Sequence, residues 1–214
     1  MDEDLSIINS NTRNEKIKNF LVNNKRKLIS GIIILIILLI AVFSYDKYLI
    51  NKKREISDKF NSIIINYTDN KKEKTFSSLI EIINKKDPTY SPLSLYFIID
   101  NNLSSDQNKI NLLFDTLIED ASLDQEIRNL IIYKKALYNA DDAQESDLLN
   151  MLNPLINSKS VWKSHSLYLM AEYFYANNQK QKAKEFFNQI LILDNLNPDI
   201  RLQAEKRLNR DLSD

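Results

Sequence analysis

The sequence predicts an all-α protein, with one membrane-spanning helix followed by an array of helical hairpins. Three observations predict it. Glycine occurs once and proline four times in 214 residues, so the turn residues that sheets and glycine-rich loops need are scarce, while helices do not require them. The stretch from Leu28 to Tyr45 reads LISGIIILIILLIAVFSY and carries no charge. Beyond about residue 70, apolar residues recur at helical rather than alternating spacing, in segments broken by short polar stretches.

Residues 1–27 are polar and Asn-rich and read as a short cytoplasmic tail. Residues 28–45 form the transmembrane helix: eighteen residues at about 1.5 Å each cover roughly 27 Å, close to a hydrocarbon core of about 30 Å. Tyr45 and Tyr48 stand where interfacial aromatics belong. A cleaved signal peptide needs a shorter apolar stretch and small residues before the cut. Phe43, Ser44, Tyr45 and Asp46 supply no such site, so an uncleaved anchor is expected. Both flanks are basic. Lys25-Arg26-Lys27 abuts the apolar stretch, whereas Lys52-Lys53-Arg54 lies almost two turns beyond it, which favours an amino end inside by a thin margin.

Residues 46–70 read as a charged helical stalk. Phe60, Ile63, Ile64 and Tyr67 fall at i, i+3, i+4 and i+7, an apolar stripe that should pack on the following domain or on a partner, and that permits a homodimer. Residues 71–214 form the helical domain. Its segments run at about 74–84, 92–102, 106–120, 123–139, 146–156, 160–176, 180–193 and 198–212. Ser91 is placed as the cap of the second, with Pro92 at its first position. Asp106 caps the third. Pro154 is expected to kink or break the fifth. Asn177-Asn178 makes the turn between the sixth and seventh.

Helix pairs recurring every 33–36 residues or so indicate a hairpin array. The clearest unit, VWKSHSLYLMAEYFYANNQKQKAKEFFNQILILDNLNP from Val161 to Pro198, resembles the tetratricopeptide repeat. Ala171 fills the small slot of the first helix, with Leu167 and Met170 in the large slots before it and Phe174 in the aromatic slot after it. Asn178 stands at the turn position, where Asn tolerates a left-handed backbone. Ala183 takes the second small slot and Phe187 the next aromatic one. Ile190 replaces a usual small residue, and Pro198 falls three residues late. The upstream hairpins match in length and apolar spacing only, which leaves their register open. A generic helical bundle with ordinary Ala and Phe core choices is the competing reading.

Composition limits the chemistry. Lys+Arg and Asp+Glu are 29 each, so no overall basic field draws the chain to nucleic acid. No cysteine is present, which removes thiolate metal sites, disulfides and Cys nucleophiles. One histidine, His165, and one glycine, Gly31, leave no H-E-x-x-H, P-loop or G-x-G-x-x-G. The expectation is a non-enzyme without cofactor or metal that binds proteins. The first helix of the best unit offers His165, Tyr168, Glu172 and Tyr175 beside its packing residues as the candidate protein-binding stripe. Equally, these rings could fill gaps against a neighbouring hairpin. Trp162, which opens the helix, reads as a core anchor joining adjacent hairpins.

The layout as a whole resembles one bacterial family, the ancillary subunit of the Sec translocon. The specific part is the end of the chain: Val161-Trp162-Lys163, the hairpin from Ala171 to Phe187, then Asp194 with Pro198-Asp199-Ile200-Arg201 running into Ala204 and Leu208. The resemblance implies an inner-membrane protein with its amino end cytoplasmic and a periplasmic tetratricopeptide-like domain. It also implies a scaffold that contacts the Sec translocon, periplasmic chaperones and emerging chains. An anchored adaptor for another envelope-assembly or cell-division complex is the alternative.

Overall fold

The computed structural model describes residues 15–194 and 197–213. Residues 1–14 of the expected tail and Asn195, in the expected break before the last helix, lie outside them. The described secondary structure is all helical. A first helical stretch, α1, covers 15–23, within the expected tail. Then come α2 (Lys25–Ile65), a 3-10 turn at Asp69–Lys71, α3 (Lys72–Ile83), α4 (Tyr90–Asp100), α5 (Gln107–Asp120), α6 (Gln125–Asn139), α7 (Glu145–Ile156), α8 (Lys163–Ala176), α9 (Lys180–Leu191) and α10 (Pro198–Asp211). The chain divides into two compact units, one ending at Glu55 and one beginning at Ile56.

In the first unit, α2 is one helix long and apolar enough to cross a membrane. Ile32 to Ile40 are exposed on every side, and a Cβ added at Gly31 would meet nothing within 4 Å. A helix apolar all round needs either a protein core or lipid about it. The helix continues past Tyr45 without a turn.

The second unit begins inside the expected stalk. Ile56 is buried, and Phe60, Ile63 and Tyr67 pack on the same core as Leu79, Leu95 and Phe114. The Phe60 and Tyr90 ring centroids lie 5.6 Å apart, and Tyr67 meets Phe97 edge-on at 5.3 Å. The stalk stripe is therefore covered by its own chain, in the position of a first hairpin helix. Phe60 and Ser57 meet Tyr90, and Tyr67 meets Phe97, both on α4, while Lys59 pairs with Glu81 of α3.

From α3 onward each helix packs against the next. First helices α4, α6, α8 and α10 start at Tyr90, Gln125, Lys163 and Pro198, so they follow one another at 35, 38 and 35 residues. Second helices α3, α5, α7 and α9 start at Lys72, Gln107, Glu145 and Lys180, again 35, 38 and 35 apart. The α6–α7 unit thus holds three extra residues. The register left open by the sequence emerges from burial: Thr75-Leu79-Ile82, Ile110-Phe114-Leu117, Leu148-Leu152-Leu155 and Ala183-Phe187-Ile190 occupy the same i, i+4, i+7 slots and are all buried. Side-chain bonds repeat with the same period. Ser57–Tyr90, Lys86–Asp120, Gln107–Asn139, Glu126–Ser160, Glu145–Gln179 and Glu172–Arg207 join residues 32 to 35 positions apart.

Two buried clusters meet at α6. Ile131 belongs to the cluster of Ile56, Leu79, Leu95, Ile110 and Phe114, while Ala136 belongs to that of Leu148, Leu167, Phe174 and Phe187. Near the end of α6, buried Asn139 exchanges two amide bonds of 2.8 Å with Asn111 of α5 and donates to the Lys135 carbonyl at 2.7 Å. Its polar atoms are satisfied inside the protein, as burial requires.

Turns are made almost without glycine. Asn102 and Asn178 adopt φ of 47° and 58°, and the next amides close back on Ile98 and Phe174 at 3.0 and 2.8 Å, the Schellman pattern that ends helices. Three local expectations are refined. Helix α4 starts at Tyr90, because Asp87 Oδ1 accepts from the amides of Thr89 and Tyr90. Ser91 lies inside the helix, and its hydroxyl donates to the Ile82 carbonyl. Pro154 does not break α7, which closes normally through Asn157 N–H to the Asn153 carbonyl.

Among the described residues, one buried hydroxyl is orphaned. Tyr96 Oη has no partner, and burial pushes its pKa up to about 12. An unsatisfied buried hydroxyl costs about 1–3 kcal/mol. Tyr96→Phe is therefore expected to raise the melting temperature by about 2–4 °C, read by circular dichroism in detergent.

Candidate functional site

The expected stripe lies on α8, whose opposite face is fixed by the core. Leu167, Met170, Ala171 and Phe174 are buried against Ala183, Phe187 and Ile190 of α9. Ala171 and Ala183, small residues on facing helices, leave room for a close approach. Phe174 lies 5.2 Å from the Phe186 ring.

The four candidate binding residues do not form one free stripe. His165 turns towards the preceding hairpin, with its ring 5.1 Å from Trp162 and 5.8 Å from Tyr133 of α6. Tyr168 meets Phe187 edge-on at 5.5 Å. Glu172 and Tyr175 meet the last helix. Arg207 of α10 holds the Glu172 carboxylate with both branches of its guanidinium, Nε to Oε1 at 2.7 Å and Nη2 to Oε2 at 2.6 Å. The same group sits 5.0 Å from the centre of the Tyr175 ring and donates to Asp211 at 2.9 Å. Such a fork pairs a carboxylate in fixed geometry. Glu172 keeps the Arg207 pKa above its ordinary range, and Arg210 with Arg207 holds the Asp211 carboxyl far below its own. Burial, then Glu172, raises the Tyr168 phenol. Tyr168, Glu172 and Tyr175 thus belong to an internal joint with α10, with their outer edges still half exposed.

Trp162 stands just before α8. Its indole stacks on Tyr133 at 5.7 Å and 20°, and Nε1 donates to the Glu126 carbonyl at 3.2 Å. The Glu126 carboxylate accepts from the Ser160 hydroxyl at 2.8 Å and the Val161 amide at 3.2 Å. One acidic residue at the start of α6 therefore fastens the loop that begins the next unit. Arg207, Asp211, Tyr133 and Glu126 were not singled out by sequence. The signal available was the opposite charge of Arg207 one repeat beyond Glu172 and the aromatic kind of Tyr133 on the unit before Trp162; Asp211 lies one turn from Arg207, and Glu126 offers no such signal.

His165 carries a pH dependence. Burial lowers its pKa, and the Val161 backbone opposes the shift only in part. Its Nδ1 has no hydrogen-bond partner of good geometry. The folded chain therefore prefers the neutral ring, and between the two pKa values the unfolded chain binds more protons. Stability from this group is complete above the unfolded value, about 6.5, and is lost as pH falls through the folded value. Tyr133 and Trp162 face the ring and bring no charge. His165→Gln is expected to flatten the fall in melting temperature from pH 7 to 5, above the carboxylate range.

Among the described residues, no three His, Asp or Glu side chains come together to hold a metal ion. A cavity of about 900 Å³ opens where α8 begins, bounded by the loop at Ser158–Ser160, by Trp162 and His165, and by Leu193, Asp194 and Asn197. No protein-family model, curated protein or solved structure matches this chain.

Proposed function

We propose that the chain is a membrane-anchored protein-interaction scaffold built from tetratricopeptide-like hairpins, without catalytic function, and that its layout is that of the ancillary subunit of the Sec translocon. In this reading α2 anchors it in a bacterial inner membrane with the amino end cytoplasmic. The helical domain is then periplasmic and contacts the channel, chaperones or emerging chains. The observation that carries the proposal is the repeated unit itself. Four second helices bury the same i, i+4, i+7 triplet at starts 35, 38 and 35 residues apart. A generic bundle has no reason to keep such a period, whereas a stack of hairpins does. Continuation of α2 through the end of its apolar stretch supports an anchor over a cleaved leader.

The test is topology, then capture. Asp141 is exposed in the turn after α6, and the chain has no cysteine, so Asp141→Cys gives a single clean label site. An impermeant maleimide should label it in cells whose outer membrane alone is opened. Labelling only after inner-membrane lysis would put the domain in the cytoplasm and end the translocon reading. With the domain outside, reciprocal pull-downs at native expression in mild detergent should recover the channel. Recovery of a division or outer-membrane assembly complex instead would reassign the client.

A further inference from the structure

The apolar residues of α1 have no cover in the protein. Ile17, Phe20 and Leu21 are each half exposed or more, and neither buried cluster takes a residue from α1. They fall at i, i+3 and i+4, on one side of the helix. Lys16 borders that side on one edge and Lys18 on the other, while Glu15, Asn19 and Asn23 lie opposite. Lys25-Arg26-Lys27 follow at the start of α2. Residues 15–28 thus hold five cations and one acid. The cations form no ion pair among the described residues. The other acids of the tail, Asp2, Glu3 and Asp4, stand at least 12 residues before Lys16. Asn24 interrupts the helix between α1 and α2. Its side-chain amide and its backbone amide both donate to the Phe20 carbonyl, each at 3.0 Å, the local competition by which Asn weakens a helix. On a straight continuation of α2, Phe20 would stand about 12 Å beyond Leu28. That is past a headgroup layer of roughly 5–8 Å, with the apolar side in water. Turned at Asn24, the same side lies along the surface.

We propose that α1 lies along the membrane surface and binds anionic phospholipid headgroups. Ile17, Phe20 and Leu21 dip into the interface, and Lys16, Lys18, Lys25, Arg26 and Lys27 reach the lipid phosphates. Charge selects the occupant, because five cations to one acid match a surface of anionic headgroups. Lysine stems can run along apolar surface while their ammonium groups stay in water, so lysines on both edges of an apolar stripe suit a helix at that depth. Proximity selects it too. Only residues 24–27 separate α1 from the apolar stretch that begins at Leu28, which keeps the helix within reach of the headgroups. The inference rests on α2 spanning a membrane and holds for either orientation, since the leaflet concerned is the one on the amino side.

The chain has no cysteine, so Leu21→Cys and Asn19→Cys each place one environment-sensitive fluorophore, on opposite sides of α1. The full-length protein is reconstituted into vesicles of phosphatidylcholine alone or of an equal mixture with phosphatidylglycerol, with acrylamide on both sides of the bilayer as a neutral quencher. In the mixed vesicles the Leu21 label should emit further to the blue and be quenched several-fold less than the Asn19 label. In phosphatidylcholine alone that protection should fall. Lys16→Glu with Lys18→Glu, which leaves Lys25-Arg26-Lys27 in place, should bring quenching at Leu21 close to that at Asn19. The proposal is overturned by equal quenching of the two labels in the mixed vesicles, by equal protection in both lipids, or by protection that survives the charge reversal. Protection that grows with the protein-to-lipid ratio would overturn it as well and assign the face to a second copy of the chain. Alkaline extraction of the same vesicles reads α2 separately. A chain that is extracted ends the anchor reading and this inference with it, whereas a retained chain whose labels are quenched alike ends this inference alone.

Discussion

Phe187→Ala is expected to remove about 3–5 kcal/mol of stability, a large share of the 5–15 kcal/mol typical of a folded domain. The ring is fully buried between α8 and α9 and meets Tyr168 edge-on. Nothing nearby can collapse into its place, because Ala171 and Ala183 bring the two backbones together there and have no side chain to extend. The loss should also be local. In a stack of units each contacts mainly its neighbours. Hydrogen exchange should therefore accelerate most at α8, α9 and α10, and least around Ile110, Phe114 and Leu117, which belong to the other cluster. Phe114→Ala should reverse that map. Equal acceleration over both clusters in either variant would show one undivided core instead.

The second large effect concerns α2, the anchor in the proposed reading. Leu35→Lys with Leu38→Lys puts two charges near the middle of an uncharged stretch, each costing about 3 kcal/mol for insertion at that depth. The wild-type chain should stay in the membrane pellet after alkaline extraction, and the double variant should pass largely into the supernatant. Its helical domain, from Ile56 on, should keep its melting curve, because no residue before Ile56 belongs to either buried cluster. A variant still fully retained would mean that something other than α2 holds the chain at the membrane.

The helices were legible in the sequence because apolar spacing and scarce turn residues act locally. The unit of α8 and α9 was legible in more detail, since Ala183 and Phe187 carry the contrast of small and large found in the repeat it resembles, although Ile190 departs from it. Upstream, the same slots hold Thr75, Ile110 and Leu148, and no residue type marks them. Three extra residues in the α6–α7 unit also put consecutive starts 38 apart, enough to blur a search at fixed period. The stripe on α8 was legible as a face, but what covers it was not. Arg207 lies 35 residues further on, and only the packing of α10 reveals that it takes Glu172. Ser91 was misplaced as a cap for a related reason. Asp87, before a proline, takes the amides of Thr89 and Tyr90, and that frees the Ser91 hydroxyl to turn back onto α3.

The regular offset of the side-chain links also bears on how the chain folds. Six of the links that join one unit to the next span 32 to 35 residues, and Asn111–Asn139 and Lys182–Glu145 span 28 and 37. Each step of assembly then closes a loop of similar length, with an entropy cost that grows only as the logarithm of that length. Low relative contact order goes with fast folding. A hairpin could acquire its neighbours in the order in which they leave the ribosome, without waiting for a distant strand or the carboxyl end, so that little unpaired apolar surface is exposed while the chain is still being made.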